Sequence, residues 1–322
     1  MIRKRLCQGA GKAWRFVARH HSEMIARILL GGIIGALVIV GGCASPEKHR
    51  MREKDEVTER IMHAIAELED AKLERRLEAI YTLERIARES EDISEPVMEV
   101  LTAYVREHPP CMGDRVQAEG VHPTLGFACR QCPGVAGARA ISADNQAALT
   151  ILGRRSRTFV KGETTRLDLR CSHVDTAKLA AAHLEGANFF GAHLRAAELS
   201  GAHLEEVNFS VADLRGANFT AAHLEGAFLF STQLESANFT AAHLEGASLR
   251  GAVLRWANLT DANLEGADFR GEMDLIPSQV KVAKNWDQAF YGSEFLSELG
   301  LPSDHNERLA AKHAKQKPES KR

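Results

Sequence analysis

AAHLEGANFFGAHLRAAELSGAHLEEVNFS, residues 181–210, places a large apolar residue at every fifth position: Leu184, Phe189, Leu194, Leu199, Leu204 and Phe209. Working outward, the series starts with Leu169, Val174 and Leu179. It continues through Leu214, Phe219, Leu224, Leu229, Leu234, Phe239, Leu244, Leu249, Leu254, Leu259, Leu264 and Phe269, which makes 21 centres without a register slip. Two residues before most centres stands Ala, as at Ala177, Ala182, Ala187, Ala192, Ala197 and Ala202, and so on to Ala267. Neither a helix of 3.6 residues per turn nor a strand of period 2 yields a period of five. A chain that turns a corner every five residues does. It points the large residue and the Ala inward and leaves three residues facing out, and four such sides close a 20-residue coil.

A second period supports closure. Ala-Ala-His-Leu-Glu-Gly-Ala occurs at 181–187, 221–227 and 241–247, with Gly-Ala-His-Leu-Glu-Glu-Val at 201–207. Identical residues then stack above one another, as ladder pairing between coils requires. At ~4.8 Å per coil the shaft is roughly 25 Å long. Ala-Asn-Leu, Ala-Asn-Phe and Ala-Asp-Leu all occur within it. On these units the stretch resembles the pentapeptide-repeat family, and the resemblance implies a β solenoid: a right-handed quadrilateral parallel β-helix over 167–275.

Upstream, residues 28–46 carry no charge and reach about 30 Å as a helix, the hydrocarbon thickness of a bilayer. The positive charges of the basic region 1–23, joined by Arg27, put the N-terminus in the cytoplasm, with the segment at 24–45 as a single-pass helix in a bacterial inner membrane and the bulk beyond it. Val40-Gly41-Gly42-Cys43 also resembles a bacterial lipoprotein cleavage box, so Cys43 is a lipidation candidate beside its reading as an ordinary cysteine. Either way the partner of this segment is the lipid bilayer.

Residues 46–109 read as a helical spacer. Val57, Ile61, Ile65 and Leu68 form one apolar stripe, and Leu73, Leu77, Ile80 and Leu83 another after the Glu69-Asp70 break. A third helix is expected from Ser94 as cap, with Pro96 in its first turn. The stretch from Arg76 to Glu107 is similar to a HEAT-type helix pair. Residues 110–141 lose periodicity and gain cysteines, as a loop insertion. Residues 142–166 are a short helix through Ala147, Leu149 and Leu152, ending at Gly153, followed by a lead-in. After the register slips at Met273-Asp274-Leu275, residues 276–301 are expected to cap the shaft as a helical segment, through Val280, Val282, Ala283, Trp286, Phe290 and Phe295. Residues 302–322 read as a disordered basic tail.

Two residue sets have metal-binding chemistry. His183, His203, His223 and His243 lie 20 apart, so one outer face holds four imidazoles at coil spacing. They are candidates to chelate a divalent ion, or a solvent-facing position copied with the repeat. In acid the column would charge and repel itself, with Glu185, Glu205, Glu225, Glu245 and Glu265 as a partial offset. Cys129 and Cys132, with Cys111 and His122, are candidates for a zinc site, a disulfide or plain thiols. Cys171 and Cys7 stand alone in the sequence.

The chain has no Gly-rich phosphate loop, no His-Glu-x-x-His and no nucleophile elbow. The sequence therefore points to no catalytic residue, no cofactor and no small-molecule ligand. It suggests a non-enzymatic, membrane-anchored scaffold that presents a rigid surface to a protein partner. The family resemblance implies an alternative, a DNA mimic that binds topoisomerases. Between 167 and 271 there are 13 acidic and seven basic residues, a net charge of −6. That is mild beside duplex DNA, with one charge per ~1.7 Å of axis, so nucleic-acid-like chemistry is disfavoured. The whole chain is close to neutral, at −2.

Overall fold

The five-residue period becomes a corner in the backbone. Every second residue after a centre, from Cys171 to Gly271, takes a positive φ, and twelve of these corners are not glycine. The left-handed turn redirects the chain by one side, and the centre and the residue two before it face inward. All 21 centres are buried, and so is the inner partner of each. Each fully buried Leu or Phe contributes about 1.5–3 kcal/mol. The core is a filled column: Phe189 stacks on Phe209 at 5.2 Å and Phe219 on Phe239 at 4.9 Å between ring centroids.

This computed structural model describes residues 46–89, 91–108, 140–155, 166–271 and 274–316. Bridges run in parallel between residues 20 apart, from Asp168–Asn188 to Ser248–Asp268, so the four-sided coil is observed directly. Backbone bonds of about 2.7–3.0 Å join each coil to the next, such as Leu184 N to His203 O at 2.9 Å.

The residues divide into two compact units, Met1–Tyr104 and Val105–Arg322. In the first, α1 (Pro46–Glu67) and α2 (Leu73–Glu89) pack together, with Arg60 bound to Glu89 at 3.0 Å. Ile61, Ile65, Leu68, Ile80 and Leu83 are buried, as the stripes require. The third helix, α3 (Glu91–Glu107), starts before the expected cap. Ser94 is therefore a helical residue and Pro96 lies inside the helix. A capping side chain is a weak boundary when the residues before it can themselves take helical dihedrals. Among the described residues no helix is long and apolar enough to cross a membrane, and the apolar segment at 28–45 lies outside them.

Within the second unit the first coil is closed by α4 (Ala143–Gly153). Gln146 acts as a substitute strand residue: its side-chain amide accepts from Lys178 N (2.8 Å) and donates to Lys178 O (2.9 Å). The Gly153 carbonyl takes the His183 N–H at 2.8 Å. Gly153 must be Gly, because a Cβ there would stand 2.7 Å from that of Ala182. An exposed sheet edge is thus satisfied by one helix.

The other end departs from the expected helical cap and tail. Residues 274–291 form a further, irregular coil. Its helical parts are the single turn α5 (Pro277–Val280) and a 3-10 turn (Trp286–Gln288). Asn263 pairs with Lys284, and strand β1 (Asp268–Phe269) pairs in parallel with β2 (Phe290–Tyr291). The spacing of 21 to 22 residues, where the shaft has 20, is the register slip taken up by the coil itself. Val280 and Ala283 are buried, but Val282 is exposed. Helix α6 (Ser293–Leu299) follows. Residues expected in a disordered tail form α7 (His305–Gln316). Its footing is specific. His305 Nε2 meets Ala289 O at 3.0 Å, Asn306 bonds both N and O of Tyr291, and Leu309 is buried.

Candidate functional site

With the interior filled, whatever the shaft does it does on its outer faces, which carry the bridge residue before each centre and the residue after it. The third face, centred on Leu179 to Leu259, satisfies itself. Thr220 Oγ1 donates to Asn218 Oδ1 (2.7 Å), Asn238 Nδ2 donates to Thr220 Oγ1 (3.0 Å), and the same pattern repeats through Thr240, Asn258 and Thr260.

The second face, centred on Val174 to Leu254, is also internally paired. Asp213 accepts from Arg195 (2.6 Å) and Arg215 (2.7 Å). Burial would raise its carboxyl, but hydrogen bonds from the two guanidiniums outweigh it and hold the group below the usual carboxylate range. His173 stacks on His193 at 4.5 Å, a pair that the four-membered column does not include although the 20-residue spacing contains it. Burial, and then the charge of His193, push His173 down to about 4.

The fourth face carries the predicted column. His183, His203, His223 and His243 are stacked with centroids 4.5, 4.9 and 4.8 Å apart and nearly parallel planes. Each Nδ1 faces the carboxylate two residues on, at 3.3 Å in His183–Glu185, 3.5 Å in His203–Glu205, 3.3 Å in His223–Glu225 and 3.4 Å in His243–Glu245.

The first face breaks its own pattern. Its bridge column reads Asp168, Asn188, Asn208, Phe228, Ser248, Asp268, and Phe228 is 47 % exposed. Beside it stand Phe230 at 53 % and the corner residue Val211 at 40 %, joined by the bond from Val211 N to Phe230 O. An apolar cluster set in polar ladders is a surface feature that folding does not require, because the 21 centres and their inner partners are all buried without it. Comparing each column with its own members would have shown it in the sequence. Trp256, on another corner, is exposed as well, with the Arg255 guanidinium 5.5 Å from its ring.

Cys111, His122, Cys129 and Cys132 lie outside the described residues. Cys171 does not stand alone: it is disulfide-bonded, to a partner outside the described residues. It occupies a corner, two residues after Leu169, with φ of 56°.

With this geometry in place, the pentapeptide-repeat family model matches in eight copies, over residues 176–210, 212–240 and 237–271. Proteins of this family form right-handed quadrilateral β-helices. Among solved structures, the pentapeptide repeat protein Rfr23 from the cyanobacterium Cyanothece 51142 is 28 % identical over 39 % of this chain and 69 % of its own, with a TM-score of 0.26. A pentapeptide repeat protein from Nostoc Pcc 7120 is 26 % identical over 35 % of this chain and 84 % of its own, with a TM-score of 0.22. Full-length QnrB1, a plasmid-mediated fluoroquinolone resistance protein, is 18 % identical over 39 % of this chain and 85 % of its own, with a TM-score of 0.23. No curated protein matches.

Proposed function

The chain is a pentapeptide-repeat protein, and from that premise we propose that it is a non-enzymatic scaffold whose first face docks a protein partner. The observation that carries this reading is the Val211, Phe228 and Phe230 cluster, held on a rigid face where neighbouring coils place Asn, Ser, Gly and Arg. Exposed aromatic residues on a pre-organised surface are the usual energetic centre of a protein interface. The polar ladder of the third face has already spent its donors on itself, whereas the first face presents three neighbouring apolar side chains to bury. A photo-crosslinking residue at Ser248, in the same column, would identify the partner. With that partner purified, Phe228→Asn/Phe230→Ser, which restores the residues at 208 and 210, is expected to weaken binding by more than about 30-fold. Unchanged affinity would overturn this reading.

We further propose that residues 28–45 anchor the chain in a membrane and that the shaft lies outside the cytoplasm. The disulfide at Cys171 supports an oxidising compartment, and the N-terminal basic region supports the same orientation. A reporter active only in the cytoplasm, fused after Arg322, is expected to be silent while one active only outside is bright. The reverse pattern refutes the orientation. The alternative, a topoisomerase-binding DNA mimic, calls for uncompensated acidic charge. Here Asp168, Asp213 and Asp268 are paired with Arg170, Arg195 and Arg270 at 2.8, 2.6 and 2.7 Å.

A further inference from the structure

The His–Glu face is more than a column of like residues, because its contacts are longer than charge-assisted hydrogen bonds. An N–H to carboxylate bond settles near 2.7–2.9 Å, whereas the four Nδ1 to Oε1 distances run from 3.3 to 3.5 Å. Two ligands of a tetrahedral zinc ion, each at about 2.0–2.1 Å, stand about 3.4 Å apart. Each His–Glu pair therefore already has the spacing of two ligands on one ion.

We propose that this face binds two divalent transition-metal ions, one at His183, Glu185 and His203 and one at His223, Glu225 and His243. Within each trio the donor atoms all lie within 4.8 Å of one another. The backbone ladder fixes the two histidines of a trio on adjacent coils, and their rings are partly exposed, so each can tilt the remaining distance toward an ion without moving the shaft. Two imidazoles and a carboxylate are the donor set of an open zinc site, with solvent in the fourth position.

The pairing follows from the column's ends. His183 and His203 are the closest pair, at 4.5 Å, and taking them together leaves His223 with His243. Below His243 the column ends in Asn263, whose amide bonds to Glu245 Oε1 and occupies that carboxylate. Glu225 Oε2 is buried without a hydrogen-bond partner, as are Oε2 of Glu205, Glu235 and Glu245, and in Glu225 it is an acceptor that an ion would satisfy. Five carboxylates also stand in one file at coil spacing, from Glu185 to Glu265, and like charges directly opposite one another are destabilising. Two dications relieve this.

The test is zinc titration by calorimetry of the full chain in detergent, purified without a histidine tag and stripped with chelator. Wild type is compared with the fourfold variant His183→Asn, His203→Asn, His223→Asn and His243→Asn. Asn already occupies this column at 263, so the replacement suits the ladder. The expected result is a difference of two zinc ions per chain, with His183→Asn/His203→Asn alone losing one. A difference of one ion or none overturns the proposal, and taking the difference removes any contribution of the cysteines. Should the fourfold variant fail to fold, copper(II) loaded on wild type is read by electron paramagnetic resonance. Coupling to two imidazole nitrogens per ion upholds the proposal, and coupling to fewer overturns it.

Discussion

Two hydroxyls share one inner column of the shaft and have opposite consequences. Ser172, Ala192, Ala212, Thr232 and Ala252 stack at the position two before the centres of the second face. Both hydroxyl residues are 0 % exposed. Thr232 Oγ1 donates to Phe209 O at 2.9 Å, whereas Ser172 Oγ has no partner. A buried hydroxyl without a hydrogen bond costs about 1–3 kcal/mol. Ser172→Ala installs the residue that the same column carries on three other coils, so it creates neither a clash nor a new kind of surface. The expected gain is about 1–2 kcal/mol. For a chain of this size each kcal/mol moves Tm by roughly 2–4 °C. Thr232→Ala is the control: it removes a satisfied bond of about 1 kcal/mol and one buried methyl of similar worth, and should cost about 2 kcal/mol. Thermal unfolding of both variants, followed by circular dichroism in the same buffer, gives the answer. A Ser172→Ala protein that melts at or below the wild-type temperature would refute the reasoning, and so would a shift of both variants in the same direction.

Acid should weaken the shaft through His173. Its folded pKa of about 4 lies below the ordinary 6.5, so the unfolded chain binds the extra proton. Stability is full above about pH 6.5 and falls as pH drops toward 4, by at most roughly 3 kcal/mol. Denaturant unfolding at several pH values should show a steeper fall for wild type than for His173→Gln, and parallel curves would contradict it. Val211 is a β-branched residue with φ of 62°. Left-handed strain of about 1–2 kcal/mol is relieved in Val211→Gly, against about 0.4–1 kcal/mol of added unfolded-state entropy. The variant should melt up to about 6 °C higher, and a lower Tm would show that the corner is not strained.

The shaft was legible because its information is local and repeated. An unbroken period of five excludes helix and strand, and the overlying period of 20 sets the number of sides, so coil closure, core residues and the stacking of His183 to His243 all follow by counting. The ends were not legible, because no repeat speaks for them. Gln146 stands in for a strand through its side-chain amide, and α7 is held by His305, Asn306 and Leu309 against residues near 289–291, contacts between segments that linear spacing does not join. The last coil at 274–291 escapes a reading by period for the same reason: at 21 to 22 residues it leaves the repeat, and pairing with the shaft reveals it as a coil. The sequence by itself determined which side chains fill the column and which recur on each face. Tertiary structure alone decided how the open edges are closed, which of two buried hydroxyls finds an acceptor, and how far each imidazole stands from its carboxylate. Those are distances between coils and caps, set by packing, and a period carries no distances.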